Sequence, residues 1–213
     1  MANQLPRGGA TPICLNGGSP YCGNGNPYWH DSSDPTALGV GDFVVISGSS
    51  NPVAVTSAYK AGGAYGYNIS TLPSVIKASE GDGDPITGVV VGFGYDPAVY
   101  GAGPNYGVAS TNYVVFVEDR PNVVYEIQVS GSAGDVDAVD VSLNYNVTSS
   151  TPSTTTGRST AKMDINSGGT GATKQLRFLG VSTNPQRNDQ ESANVSARVM
   201  INNNNNIANT LGV

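Results

Sequence analysis

Charge is scarce in this chain. Only 12% of its 213 residues are Asp, Glu, Lys or Arg, about half the share usual in soluble domains. The ten basic residues are spread along the sequence and never cluster, and the net charge is −6. A nucleic-acid binder needs Lys and Arg to neutralise phosphates, so the composition argues against one, and likewise against an anionic membrane surface. Histidine occurs once, at His30, so a multi-histidine metal site cannot be built within one chain. Cysteine occurs twice, at Cys14 and Cys22; the spacing is not that of a zinc knuckle and there is no second pair. The pair can close a small loop as a disulfide, and two free thiols in a reducing cytoplasm are the favoured reading. No basic stretch leads into an apolar one, so the expectation is synthesis without Sec-type export. No apolar run approaches the length that spans a bilayer, and no long segment shows helical apolar spacing.

What the chain has in quantity is turn chemistry, with 28 Gly, 13 Pro and many Ser, Thr and Asn. Between the turns lie short β-branched and aromatic runs, the pattern of sandwiches and barrels. The clearest is Tyr113 to Val129, YVVFVEDRPNVVYEIQV, where two such runs flank Glu118-Asp119-Arg120-Pro121-Asn122. Pro121 fits a turn, so the stretch reads as a core hairpin with a charged surface turn. Further strands are expected at 42–47, 53–57, 74–79, 86–95, 136–147, 162–165, 173–181 and 194–201. The last is expected to pair with 173–181, and Val195, Ala197, Val199 and Ile201 share one face. In 136–147, Val139, Val141, Leu143 and Tyr145 would also share a face. The glycines of 86–95 predict bulges. The expected class is all-β: a compact β-sandwich or barrel-like domain of short antiparallel strands, with an extended N-terminal arm and long Gly/Tyr-rich loops.

The predicted organisation is an arm over 1–36, a β domain over 37–201 with a polar linker loop at 149–159, and an Asn-rich tail over 202–213. The arm holds Pro6, Pro12, Pro20, Pro27 and Pro35 and lacks alternation, which argues against a ladder of its own. It also carries Ile13, Leu15, Tyr21, Tyr28 and Trp29, more apolar surface than a solvated tail. It is therefore expected to lie along a surface, its own or a neighbour's, with Tyr28 and Trp29 reaching an adjacent subunit. Deleting it is expected to leave a folded protein.

Several groups invite a chemical reading. Glu80, Asp82 and Asp84 alternate in a Gly-rich turn, a spacing that can bind Ca²⁺, but the rest of an EF-hand is missing and a solvated turn is the better reading. The same holds for Asp135, Asp137 and Asp140, and nothing sets the separation a glycosidase pair would need. The Gly-rich pieces at 101–104 and 168–171 lack a phosphate-loop ending. Many of the 11 tyrosines lie in loops beside glycine, where tyrosine is enriched at interfaces and sugar-binding surfaces. The expected interface residues are Tyr21, Tyr28, Trp29, His30, Tyr65, Tyr67 and Tyr106. No catalytic, cofactor or metal residues are assigned.

In order along the chain, GNGNPYWHDSSDPTALGVGDFVVISG, GVVVGF, YVVFVEDRPNVVYEIQ, STTTGRSTAKMDI, LRFLGVSTNPQRND and NVSARVMIN resemble segments of the small capsid cement, or decoration, proteins of tailed bacteriophages. The pieces are short and cover most of the chain; none is a catalytic signature. The Gly/Tyr excursions at 59–73 and 96–110 and the Asn-rich end depart from the pattern. The resemblance implies a non-enzymatic virion component without cofactors, made in the host cytoplasm and placed on the outer capsid surface. Its partner would be the phage major capsid protein, and it would act as a homo-oligomer, often a trimer. The alternative expectation, from the loop tyrosines, is a carbohydrate-binding or host-surface adhesion module.

Overall fold

The computed structural model describes residues 8–50, 72–94, 103–131, 136, 138–182, 188 and 193–206. Among these the protein is all-β, with eleven strands, one 3-10 turn at Ala138–Asp140 and no α-helix. The strands are β1 (Thr11–Leu15), β2 (Asn26–His30), β3 (Phe43–Ser50), β4 (Pro73–Lys77), β5 (Gly88–Gly94), β6 (Tyr113–Glu118), β7 (Val123–Ser130), β8 (Asn144–Val147), β9 (Met163–Gly169), β10 (Leu176–Val181) and β11 (Ser196–Ile201). They form two sheets.

The first sheet is a closed barrel in the order β2-β4-β3-β5-β6. Alternation sorts its side chains. Tyr28, Leu38, Val44, Val75, Val90, Tyr113, Val115 and Val117 make one buried cluster. The intervening residues of β2 and β6, Trp29 and Val114, form another with Leu72 and Phe116. Because β6 is apolar on both faces, its sequence is a nearly continuous apolar run. The register of β5 on β6 shifts between Val90 and Gly92, the bulge that the glycines predict.

The second sheet runs β1-β7-β11-β10-β8-β9, and β9 also pairs in parallel with β7 through Val129–Met163 and Ser130–Asp164. It thus curls back on itself. Tyr125, Ile127, Tyr145, Met163, Leu176, Phe178, Val199 and Ile201 fill it, and Phe43 and Val89 of the first sheet join the same cluster, with Ile86 just before β5. The pairing of β11 with β10 is as expected, and Val195, Ala197, Val199 and Ile201 are all buried.

Five expectations change. The stretch from Tyr113 to Val129 is a corner, not a hairpin. Strand β6 pairs with β2 and β5, whereas β7 pairs with β1, β11 and β9. Each run has apolar residues on both faces and finds its partners elsewhere, so Asp119 to Asn122 lead the chain from one sheet to the other.

The arm, in turn, is part of both sheets. Strand β1 lies on β7, and β2 lies antiparallel on β6 with Tyr28 opposite Val115 and Trp29 opposite Val114. Proline does not prevent this. Pro12 sits where the register of β1 shifts, and Pro27 stands opposite Phe116 near the start of β2, where β4, which meets β2 only at Trp29–Ser74, does not pair with it.

Third, the loop over 149–159 is pinned rather than free. Val40 N–H donates to Gly157 O at 2.8 Å, and Ser159 N–H donates to Val40 O at 2.9 Å. Fourth, the asparagines over 202–206 are structural. The Asn202 amide donates to the carbonyls of Ala172 (3.0 Å) and Lys174 (2.8 Å), Asn205 N–H donates to Ile86 O (3.3 Å), and the Asn206 amide donates to Asp119 O (3.4 Å). Residues 207–213 lie outside the described residues, as do the strand expected at 53–57 and, of the two Gly/Tyr excursions, 59–71 and 96–102.

The strand expected over 136–147 is shortened to β8. Val139 is 81% exposed and Val141 45% exposed, because the 3-10 turn interrupts the alternation before Asn144.

Candidate functional site: the polar junction between the sheets

The first buried polar constellation centres on Asp42, at the entry to β3 and fully buried. Two glycines before it, Gly39 and Gly41, allow the turn that presents it: Gly41 has φ +95°, and Asp42 N–H donates to Gly39 O at 3.0 Å. The carboxyl group accepts from Gly39 N–H at 2.6 Å, from Ser159 Oγ at 2.5 Å and from Ser150 Oγ. Lys77 Nζ, on β4, stands 3.5 Å away and donates to Ser150 O at 2.7 Å. A carboxyl group out of water is costly unless hydrogen-bonded and paired, and here segments 39–42, 77 and 150–159 meet to satisfy it. The chain start closes on the same point, with Ala10 N–H donating to Gly41 O at 3.0 Å. A Cβ at Gly8 would stand 1.5 Å from Ser159 O, so only glycine lets the backbones approach this closely.

A small cleft adjoins the junction, lined by Phe43, Lys77, Glu80, Val147, Ser150 and Ala161. Its volume is about 20 Å³, room for one water-sized sphere and far below the several hundred Å³ of a small-molecule site.

The second constellation is the β6–β7 corner. Glu118 is 2% exposed, not the surface residue expected of a charged turn. It accepts from Arg120 Nε at 2.7 Å, Nη2 at 2.9 Å and N–H at 3.2 Å. Burial by itself raises the Glu118 carboxyl, but Arg120, Tyr21 and the Arg120 backbone outweigh it and hold the group below its ordinary value. The guanidinium lies 5.4 Å from the centre of the Tyr21 ring. Burial, then Glu118, push the Tyr21 phenol up to about 12. Tyr125 Oη donates to Glu118 O at 3.2 Å. Next door, Asp119 accepts from Tyr28 Oη at 2.7 Å and from the Asn26 amide at 2.8 Å. Burial, then Asp119, hold the Tyr28 phenol well above its ordinary value. The corner therefore fastens β2 and the segment around Tyr21 to the passage between the sheets.

Of the expected interface residues, Tyr28, Trp29 and His30 are buried at 6%, 2% and 0% exposure. This corrects the expectation that they reach a neighbour: β2 is a barrel strand, and its alternate faces are both covered. His30 stacks on Tyr113 with centroids 4.5 Å apart and planes 8° apart. Its Nδ1 is 3.0 Å from Thr111 O, and its Nε2 is 3.3 Å from Asp34 Oδ2. Tyr21 and Tyr106 are half-buried, and Tyr65 and Tyr67 lie outside the described residues. The acidic turn is clipped down: Asp82 accepts from the Asn146 amide at 2.8 Å and from Lys174 Nζ at 3.0 Å. Those two partners, Asn146 first, hold its carboxyl below the usual range.

Sequence reading missed Asp42, Ser150, Ser159 and Lys77. A lone Asp before an apolar strand was visible, but its partners are up to 117 positions away, and no local pattern announces them. Both cysteines are free thiols. Among the described residues no group of three or more His, Cys, Asp or Glu is placed to hold a metal ion, and no helix is long and apolar enough to cross a membrane. Compared with family models, with curated proteins and with solved structures, the chain finds no match.

Proposed function

We propose that this chain is a non-enzymatic structural protein of a phage virion, one that docks on the outside of the assembled capsid as a homotrimer and holds neighbouring major capsid subunits together. The observation that carries the reading is where the reactive side chains are used. Asp42, His30 and Glu118 are each no more than 2% exposed. Asp42 and His30 are engaged by groups 81 to 117 positions away, and the Glu118 backbone is held by Tyr125. Such groups fasten the fold, as suits a protein whose work is to stay folded under load. The ordered likeness of the sequence segments to cement proteins supplies the partner.

The physical logic is linkage: a protein that binds the assembled shell and not free subunits shifts the equilibrium toward shell. Repetition over a symmetric lattice multiplies weak contacts. The test is light scattering on the purified chain, followed by heating of capsids with and without it. A trimer that raises the temperature of capsid disruption supports the proposal. A monomer that leaves the capsid unchanged and binds a glycan array supports adhesion instead.

A further inference from the structure

We propose that Cys14 and Cys22 are a disulfide-forming pair, which closes across the end of the β1 turn when the chain meets an oxidant. The proposal concerns the isolated chain and does not depend on the capsid reading.

The geometry begins at the turn after β1. Leu15 N–H donates to Ser19 O at 2.8 Å and Tyr21 N–H donates to Ile13 O at 3.3 Å, which sets Cys14 directly opposite Pro20. Gly17 and Gly18, with φ of +114° and +94°, make the reversal. Leu15 and Tyr21 pack toward the main core. Successive side chains of extended backbone take opposite faces, so Cys14 and Pro20 share the other face, and Cys22 lies two residues past Pro20. Cys14 is half-buried and Cys22 exposed.

A disulfide wants Cα atoms about 4.4–6.8 Å apart, so closure requires Cys22 to come within that range of Cys14. Cys22 sits in the segment 22–25, which is outside any ladder until β2 begins at Asn26 and contains Gly23 and Gly25.

A low-molecular-weight disulfide such as oxidised glutathione serves as the oxidant. The exposed Cys22 thiolate attacks one of its sulfurs and releases a first glutathione thiolate. The Cys14 thiolate then attacks the Cys22 sulfur and releases the second. Two protein thiols are oxidised, one glutathione disulfide is reduced, and the two protons pass to the released thiolates. The pair stays reduced in a cytoplasm and closes in an oxidising medium. Closure ties the turn to the edge of β7 through β1.

The experiment incubates the reduced, full-length protein with oxidised glutathione, then measures intact mass, thiol count and rate of proteolysis in the 15–21 turn. The expected result is loss of two hydrogens, loss of both thiols, no intermolecular adduct, and proteolysis slowed roughly tenfold or more. Cys22→Ser should stop at a single glutathione adduct or stay reduced. Because Cys14 is half-buried and lies within β1, its replacement can disturb folding, so the exposed position carries the control. Stable glutathione adducts on both cysteines, or a disulfide between two chains, would overturn the proposal.

Discussion

Ser159 donates a 2.5 Å hydrogen bond to Asp42 across 117 positions of sequence, and this contact draws the polar 149–159 loop onto the barrel. With Ser150 and Lys77 on the same carboxyl group, it converts a low-complexity stretch into a clasp. Replacing Asp42 by Ala should therefore cost about 3–5 kcal/mol, the effect of leaving buried partners without their carboxylate. Urea unfolding of the variant measures it. A loss within about 0.5 kcal/mol, the range of ordinary surface changes, would show that the clasp contributes nothing.

Trp29→Ala tests whether the first 36 residues belong to the folded body. Trp29 is 2% exposed and packs with Leu72 and Val114, so its truncation should cost about 3–5 kcal/mol. A shortened chain lacking residues 1–36 loses β1 and β2 and should fail to give a cooperative unfolding transition. A stable, cooperative truncated protein would restore the picture of a detachable arm.

How far the fold was readable depends on range. Strand β11 announced itself because Val195, Ala197, Val199 and Ile201 alternate with polar residues, and β10 was its natural partner. The β6–β7 corner did not, since a hairpin and a corner share the same local signature of two apolar runs around a proline turn. What decides between them is which partners β6 and β7 find, and those include β2 and β1, in a segment whose prolines hid its strands. The same blindness applied to the junction: serines of a polar repeat look solvated until Asp42 is seen among them.

Acid should weaken the corner in a defined direction. The Glu118 carboxyl is held below its ordinary 4.5 in the folded protein, so the native state releases its proton more readily than the unfolded chain. Its contribution is present above the unfolded value and is lost as pH falls through the folded one. The urea midpoint should therefore drop below about pH 4, and Glu118→Gln should flatten that part of the profile. Equal acid sensitivity in the variant and the parent would remove Glu118 from the explanation.

Alkali acts on the same corner through tyrosine. The Tyr21 phenol rises from 10.0 to about 12 on folding, so the native state keeps a proton that the unfolded chain gives up. Stability is full below pH 10 and falls as pH climbs toward 12. Tyr21→Phe should retain more stability than the parent across that window. The phenolate absorbance of the parent, followed against pH, should show at least one late-titrating tyrosine, and the variant one fewer.

The central claim, attachment to an assembled shell, is tested most directly by sedimentation of the purified protein with capsids lacking it, beside an equal mass of unassembled major capsid protein. The account predicts saturable co-sedimentation with the shells and none with the free subunits. Protein that stays in the supernatant at every shell concentration, or that binds free subunits equally well, would contradict it.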